Sequence, residues 1–150
     1  MEIRAYRPED LTEILRLFHD TIHSVCRADY SPAQLEAWSD GKPDRAAWAR
    51  RLDESDCRVA CADGRILGFG NMLPGGRLDL FYVHRDAQRR GVGRALLGAL
   101  ERAHPERPIT LEASVTALPF FEAQGYRAVR AQTVWRRGVA LTNCVMEKRG

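Results

Sequence analysis

Near the middle of the chain, a glycine-containing turn stands between a strand-like segment and a helix-like segment. The residues from Leu78 to Val83 are largely apolar, as in a strand at the centre of a sheet, and a helical pattern begins at Gly91 and ends near His104. A second strand-like run covers Ile109 to Ala113. When a helix connects two strands of one sheet, the two strands run parallel and the connection is right-handed. The sequence therefore predicts a sheet that contains one parallel strand–helix–strand crossover.

The segments on either side of this crossover complete the expected fold. Helical patterns follow three residues that can cap a first turn, Asp10, Ser31 and Asp44. Asp63-Gly64 and Arg137-Gly138 each separate two strand-like runs, and Asp-Gly in such a place is a strong hairpin signal. We expect one domain over residues 1–150, of the mixed α/β (α+β) class, with a mostly antiparallel twisted sheet and flanking helices.

Composition narrows the function classes. The 150 residues include 23 Lys and Arg against 20 Asp and Glu, a net charge of +3 that is too small to indicate a nucleic-acid-binding protein. No run approaches the roughly 20 apolar residues of a membrane span. The N-terminus lacks the apolar core of a signal peptide. We therefore expect a cytoplasmic protein with no membrane and no nucleic-acid partner.

The cysteines and histidines form no clear disulfide or metal pattern. Cys57 and Cys61, on one predicted strand, would lie about 13 Å apart, which is too far for a disulfide. We expect all four cysteines to be reduced. His19 and His23 stand one helical turn apart with Cys26 after them, but the metalloprotease motif requires a glutamate after its first histidine. We therefore expect the histidines to lie on a polar helix face or to line an acceptor site, with no metal.

The turn that precedes the helix predicts a site for an anion. Free N–H groups at the start of a helix attract negative charge, and a glycine lets a phosphate approach without a Cβ in the way. The turn also carries several arginines, Arg85, Arg89, Arg90 and Arg94. A P-loop requires Lys-Ser or Lys-Thr after its glycine, and a dinucleotide-binding turn requires a small residue where Leu96 stands. Another polyphosphate ligand is expected, and a solvated helix start is the alternative.

Two motifs resemble those of the GNAT superfamily of N-acetyltransferases. The segment from Gln88 to Gly93 is similar to the family signature Q/R-x-x-G-x-G/A. The segment from Leu111 to Tyr126 resembles N-x-x-A-x-x-F-Y-E-x-x-G-F, and Ile3 to Asp10 is similar to the usual N-terminus of the family. Two positions depart from the second motif, because Ser114 stands where the family commonly has Asn and Phe121 where it commonly has Tyr.

The resemblance implies an N-acetyltransferase that uses acetyl-CoA as its co-substrate and moves the acetyl group to a primary amine by direct attack. In the family, the glycine turn holds the pyrophosphate, and the strand before it parts from its neighbour and bonds the pantetheine arm. The cofactor-binding residues implied for this chain are Phe81, Tyr82, Val83, Gln88, Arg89, Arg90, Gly91, Val92, Gly93, Arg94, Ser114 and Phe121. The acceptor could be a small metabolite, an antibiotic, a peptide N-terminus or a lysine, and the chain could form a homodimer.

Two carboxylates are candidates for the base that receives the proton of the amine. Asp79 is the first, because it is a lone carboxylate in an apolar strand and, by the period of two, shares a face with Phe81 and Val83. Its apolar neighbours predict a raised pKa. Glu112, on the next strand, is the second candidate. The alternatives are a carboxylate that meets water for Asp79 and a surface salt bridge for Glu112.

The proton donor of the leaving thiolate is also open. The hydroxyl that usually supplies this proton is absent at Phe121, so water, Ser114 or Tyr126 would supply it. The absence of a tyrosine hydroxyl at Phe121 also supports an alternative function, a catalytically silent acyl-CoA-binding module. An alternative role for Phe121 is packing against the sheet.

Overall fold

The computed structural model describes all residues from 1 to 150. Its strands are β1 (Glu2–Ala5), β2 (Asp56–Ala62), β3 (Arg65–Leu73), β4 (Arg77–Val83), β5 (Ile109–Ser114), β6 (Arg127–Arg136) and β7 (Val139–Lys148). Its α-helices are α1 (Leu11–Val25), α2 (Pro32–Trp38), α3 (Arg45–Asp53), α4 (Val92–Ala103) and α5 (Leu118–Ala123). None of these helices combines the length and the apolar character that crossing a bilayer requires.

All seven strands form one sheet in the order β1-β2-β3-β4-β5-β7-β6. The pair β4–β5 is parallel, and the other five pairs are antiparallel. Helix α4 connects the two parallel strands, as the sequence predicts for a strand–helix–strand crossover. The predicted fold class, a mixed α/β protein with a mostly antiparallel sheet and flanking helices, is confirmed.

Local turn and cap chemistry accounts for several element boundaries. The β2–β3 hairpin turns through Asp63 and Gly64, with φ of 52° and 74°. The β6–β7 hairpin turns through Arg137 and Gly138, with φ of 50° and 77°. Two positive φ angles in succession are typical of the turn that matches the twist of a hairpin. The side chain of Ser31 accepts the Gln34 N–H at the start of α2, and Asp44 accepts the Ala47 N–H at the start of α3.

The core consists of two layers, one on each face of the sheet. On one face, α1 and α3 pack against β2, β3 and β4 through buried residues such as Ile14, Leu52 and Phe69. On the other face, α4 and α5 pack against β4, β5 and β7 through residues such as Leu100 and Phe121. Strand β4 contributes to both layers and is therefore the wall that the two halves of the protein share.

Strands β4 and β5 part soon after they begin. Their ladder has one register pair, Arg77 with Thr110. At the far end of β4, the Val83 carbonyl accepts hydrogen bonds from the Thr21 hydroxyl at 3.2 Å and from the Gln88 amide at 2.7 Å. These two side chains take the acceptor that a neighbouring strand would otherwise use. A cleft therefore opens between the strands toward the glycine turn.

A second polar contact holds the β5 side of this cleft. The Tyr30 hydroxyl accepts the Val115 N–H at 2.9 Å, just beyond the end of β5, and donates to the Thr142 carbonyl of β7 at 2.7 Å. Tyr30 is buried, and its ring packs edge-on against Trp38. The segment between α1 and α2 thus ties the end of β5 to β7 rather than to β4.

Two glycines of α4 provide a matched test of the packing between α4 and α5. A Cβ on Gly93 would lie 3.0 Å from the Phe120 ring, whereas a Cβ on Gly98 would meet only the end of the flexible Arg102 side chain, at 3.2 Å. We expect Gly98→Ala to be neutral or to stabilise the protein by up to about 1 kcal/mol, as alanine favours a helix. Gly93→Ala should instead destabilise the protein by about 1–3 kcal/mol, because its Cβ would crowd the Phe120 ring. Chemical denaturation of both variants measures the difference, and equal stabilities would contradict this packing.

Candidate active site

The cleft between β4 and β5 opens into a cavity of about 1090 Å³. Its walls come from α1, the loop after α2, α3, the parted strands, the start of α5 and the β6–β7 hairpin. The predicted site residues that line it are Asp79, Phe81, Tyr82, Val83, Gln88, Glu112, Ser114 and Phe121. The other predicted residues, Arg89, Arg90, Gly91, Val92, Gly93 and Arg94, form the turn and the first residues of α4 just beyond Gln88.

The glycine turn has the geometry of an anion site. Gly91 caps α4 with φ +80°, and Arg89 also has a positive φ, of 62°. Apart from its two neighbours in the chain, Gly91 has no atom within 4 Å of the position that its Cβ would occupy, so the backbone there is open. The first amides of a helix have no partner within the helix and point at such a space. Arg89, Arg90 and Arg94 are exposed around it.

Three residues of the turn motif have structural contacts that the sequence does not reveal. Gly93 is buried against the Phe120 ring, so packing, rather than the approach of a phosphate, requires a glycine there. The Gln88 amide donates to the Val83 carbonyl and closes the loop onto the end of β4. The Val92 side chain is buried against Ala60 and Ala87. Val92 and Gly93 can therefore reach a ligand only through their backbone amides.

The backbone of β4 faces the cleft at alternate residues. The His84 N–H donates to Leu67 of β3 at 2.7 Å, so by alternation the backbone of Tyr82 also faces β3, and that of Phe81 and Val83 faces the cleft. The Val83 carbonyl is already bonded to two side chains. The backbone groups that remain for a ligand are those of Phe81 and the Val83 N–H. The ring of Tyr82 packs in the opposite layer.

Asp79 lies in a β-bulge, which corrects the predicted orientation of its side chain. Asn71 of β3 pairs with Leu80 and the next residue, Met72, pairs with Leu78, so Asp79 is the extra residue of β4. The bulge breaks the period of two. Asp79 consequently points to α3, on the face opposite to Phe81, and the expectation of a shared face is wrong.

The partners of Asp79 also overturn the predicted rise in its pKa. Arg51 donates to both carboxylate oxygens, at 2.7 and 2.8 Å, and the Asn71 amide donates at 3.1 Å. Burial alone raises the pKa of the Asp79 carboxyl, but the hydrogen bonds from Arg51 and Asn71 outweigh it and hold the pKa below its ordinary value. Asp79 therefore stays ionised at neutral pH.

Glu112 lies on β5, across the cleft opening from β4. Its exposed carboxylate is 3.4 Å from the Arg77 guanidinium of β4. Glu112 therefore has the salt-bridge partner that the sequence left as an alternative, and it also lines the cavity. Both predicted carboxylates are thus in the cavity wall, each beside one arginine.

The structure separates the two candidate side-chain proton donors. The Ser114 hydroxyl oxygen accepts the Ala117 N–H at 3.0 Å, which leaves its own O–H free to donate in the cavity. The Tyr126 hydroxyl is in the core and donates to Glu101 at 2.7 Å, and burial together with this carboxylate raises its pKa. Ser114 is placed to donate a proton to a ligand in the cleft, whereas Tyr126 is not.

The histidine pair of α1 binds protein groups. His19 Nδ1 lies 2.7 Å from the Ser39 hydroxyl, and His23 Nε2 donates to the Ser39 carbonyl at 2.6 Å. Nowhere in the structure do three or more histidine, cysteine or carboxylate side chains come together as a metal-binding group. The pair holds the loop after α2 against α1, and His19 lines the cavity.

Sequence reasoning missed three residues that shape this site, Thr21, Arg51 and Asn71. Thr21 and Arg51 lie on helices far from β4 in the sequence, and no spacing pattern links them to it. Asn71 is fully buried in β3, where its side-chain oxygen accepts the Leu80 N–H at 2.8 Å. A polar residue inside an apolar strand was the one available signal for Asn71.

Phe121 provides a test of how the cavity floor is packed. It is 4% exposed and contacts the rings of Phe81, Phe120 and Tyr126, which confirms the alternative that it packs against the sheet. We expect Phe121→Tyr to cost about 1–3 kcal/mol, because its hydroxyl would be buried without a partner. Phe120→Tyr, at the half-buried neighbouring position, should cost less. Thermal denaturation compares them, and a Phe121→Tyr protein as stable as wild type would show that the cavity accommodates the hydroxyl.

Comparisons with known proteins place this arrangement in a family. Residues 26–148 match the family model described as the acetyltransferase (GNAT) domain. An N-acetyltransferase of Escherichia coli K12, YafP, is 34% identical over 146 residues, which cover 97% of this chain and 94% of YafP. A GCN5-related N-acetyltransferase from Rhodopseudomonas palustris is 34% identical and superimposes with a TM-score of 0.94, over 99% of this chain and 95% of that one.

A more distant structure shares the fold. The PaiA N-acetyltransferase of Thermoplasma acidophilum, solved in complex with coenzyme A, is 17% identical and has a TM-score of 0.80, with 99% of this chain and 98% of that chain covered. The family model covers most of the chain, and YafP is similar over nearly its whole length. The protein with the parted strands and the open glycine turn belongs to the GNAT family of acetyltransferases.

Proposed function

We propose that this acetyl-CoA-dependent acyltransferase moves the acetyl group to a primary amine by direct attack of the amine nitrogen on the thioester carbonyl. One observation carries the proposal: the cleft between β4 and β5 opens into a cavity that contains Asp79 and Glu112, and the open glycine turn follows directly after Gln88 in the lining of that cavity. The bound coenzyme A of the PaiA relative supports the same choice of co-substrate.

The donor would lie along the cleft with its pyrophosphate at the turn. The amides from Gly91 to Gly93 and the side chains of Arg89, Arg90 and Arg94 would hold the phosphates. The pantetheine arm would then bond Phe81 and the Val83 N–H, where β4 has no neighbouring strand. In this arrangement Gln88 and Tyr82 support the cleft wall.

The thioester end of the donor would lie between the two parted strands. A Phe81 N–H that faces the cleft can bond the thioester oxygen, where negative charge develops during attack. The amine nitrogen forms the new C–N bond as the C–S bond breaks, and coenzyme A leaves as a thiolate. Ser114 or water supplies the proton to this thiolate, and Phe121 contacts the thiol end through its ring.

Direct attack agrees with the state of the cysteines. Cys26 lines the cavity, and burial raises the pKa of its thiol to about 11, so that it carries little thiolate at neutral pH. Cys57 and Cys144 are buried and lie outside the cavity lining, and Cys61 is on β2. None of the four is placed as a nucleophile for an acyl-enzyme.

The two carboxylates would act on the acceptor. An alkyl ammonium has a pKa of about 10.4, so only about one molecule in a thousand is neutral at pH 7. Asp79, held ionised by Arg51, would attract and orient the ammonium, while water in the cavity carries its proton away. A carboxylate with a lowered pKa is a weak base, which makes attraction the larger part of this role. Glu112 is the second candidate, at the other edge of the cleft.

Other parts of the proposal rest on the sequence. A cytoplasmic location agrees with reduced cysteines. A homodimer could form along β6, which is an edge strand of the sheet and is largely exposed.

A nucleic-acid partner is not proposed, because the arginines of the turn cluster at one helix start. The alternative of a catalytically silent module finds no support among these relatives, which bear acetyltransferase names.

Replacing Asp79 tests its role in transfer. We expect Asp79→Asn to lower kcat/KM for a primary amine about a hundredfold while acetyl-CoA affinity, measured by calorimetry, changes less than about twofold. The matched control on β5, Glu112→Gln, should lower kcat/KM by less than about fivefold. Release of the coenzyme A thiol in the presence of a panel of amines gives the rates. A larger loss in Glu112→Gln would assign the role to Glu112, and no release with any amine would contradict the proposed function.

The same assay over a pH range tests the lowered pKa of Asp79. In wild type, kcat/KM should rise about tenfold per pH unit from pH 6 to 9, because the neutral amine increases at that rate while Asp79 stays ionised throughout. The contrary result would be a bend near pH 6–7 in the kcat/KM profile of wild type that is absent from the profile of Asp79→Asn. Such a bend would show that the Asp79 carboxyl has a raised pKa.

A further inference from the structure

We propose that the acceptor carries a carboxylate or another anionic group close to its reacting amine, and that four basic side chains at the cavity mouth bind this group. These residues, called the acceptor rim below, are Arg16, Lys42, Arg45 and Arg136. The inference deepens the proposed function of the same cavity and rests on it.

The charge of the cavity lining is the first observation. Seven lysine and arginine side chains line the cavity, against five aspartate and glutamate side chains. Three of the acids each form an ion pair with one arginine, in the pairs Asp40–Arg137, Asp79–Arg51 and Glu112–Arg77. Once these pairs are set aside, the lining retains the four cations of the acceptor rim and two carboxylates.

The two remaining carboxylates offset only part of the positive charge of the acceptor rim. Asp44 accepts the Ala47 N–H as the cap of α3, and Asp20 is half-buried on α1. Neither forms an ion pair with a lysine or an arginine. The surplus of positive charge is therefore available to a ligand.

The residues of the acceptor rim come from three parts of the chain, which contacts between neighbouring residues hold together. The Arg45 guanidinium donates to the Thr12 hydroxyl at 3.0 Å, and Thr12 lies one helical turn from Arg16 on α1. Lys42 lies between Asp40 and Arg45 in the loop before α3. The ion pair of Asp40 with Arg137 joins this loop to the hairpin that carries Arg136, the fourth member.

Arg136 lies on the same face of β6 as Val134, which packs in one cluster with Tyr82 of β4. Its charge, with that of Arg51, lowers the pKa of the buried Tyr82 hydroxyl, although burial has the larger effect and raises it. Tyr82 lies on β4 two residues from Leu80, in the same layer as Asp79 and Arg51. Arg136 is therefore on the side of the sheet that Asp79 faces.

This arrangement separates two opposite charges of an acceptor. The ammonium would lie at Asp79, and an anionic group on the same molecule would lie at the acceptor rim. Guanidinium groups bind carboxylate and phosphate through paired hydrogen bonds, so three arginines suit such a group well. An acceptor that carries only positive charge would meet the repulsion of the acceptor rim. An amino acid, or a lysine with acidic neighbours in a peptide, has the required chemistry.

Matched acceptors test the inference. Acetyl transfer is measured for peptides whose lysine is flanked by Asp and Glu, or by Asn and Gln, and for small primary amines with and without a carboxylate. We expect the acidic member of at least one set to have a kcat/KM about tenfold higher, mainly through KM. The set that shows the preference distinguishes a peptide from a small molecule. The preference should shrink between 50 and 500 mM salt, because salt screens exposed charges.

Matched variants assign the preference to the acceptor rim. Arg16→Gln/Arg45→Gln/Arg136→Gln should reduce it to less than about twofold. A control triple, Arg50→Gln/Arg102→Gln/Arg130→Gln, removes three exposed arginines outside the cavity and should leave it unchanged. Arg136→Gln alone is a second variant that breaks only a hydrogen bond to the neighbouring Trp135 carbonyl, and should reduce the preference in part.

The outcomes separate this inference from the function on which it rests. Transfer to neutral and acidic acceptors at equal kcat/KM, or a preference that survives the triple substitution, would overturn the inference and leave the acetyltransferase intact. No transfer to any amine would instead contradict the proposed function.

Discussion

The hydrogen bonds to the Val83 carbonyl hold β4 away from β5, and the site depends on that separation. Thr21 of α1 and Gln88 of the loop after β4 both donate to this oxygen, so the last residues of β4 are bonded to side chains rather than to a strand. Tyr30 bonds the backbone beyond β5 to β7 in a similar way. Backbone groups in a sheet normally pair with a neighbour. Here Phe81 and the Val83 N–H face a cleft, where a ligand can take the place of a strand.

The bulge at Asp79 is a second feature of β4 on which the site depends. It makes Asp79 and Phe81 point to opposite faces of the sheet. Phe81 lies in the layer of α4 and α5, beside the glycine turn, whereas Asp79 points to α3 and pairs with Arg51. In the proposed function, the donor and the acceptor therefore approach the same strand from opposite sides. The arginine that orients Asp79 also keeps it ionised, which favours attraction of an ammonium over removal of its proton.

Sequence patterns predicted the features that depend on residues adjacent in the chain. The hairpin at Asp63-Gly64, the cap at Ser31 and the glycine turn at Gly91 are local, and all three are present. The bulge could not be read from β4 alone, because it arises from the register with Asn71 of β3. The period of two therefore gave the wrong face for Asp79, and no local pattern reveals Arg51. The pKa of a carboxyl depends on such distant partners.

Residue-resolved amide exchange by NMR tests most directly whether acetyl-CoA occupies the open side of β4. Saturating acetyl-CoA should slow exchange of the Phe81 and Val83 amides at least about tenfold, because these groups face the cleft and gain a partner. The Tyr82 amide, which faces β3, should change much less and serves as the internal control. Binding that leaves Phe81 and Val83 as fast as before, or that protects all three amides equally, would contradict the assignment of the cleft as the donor site.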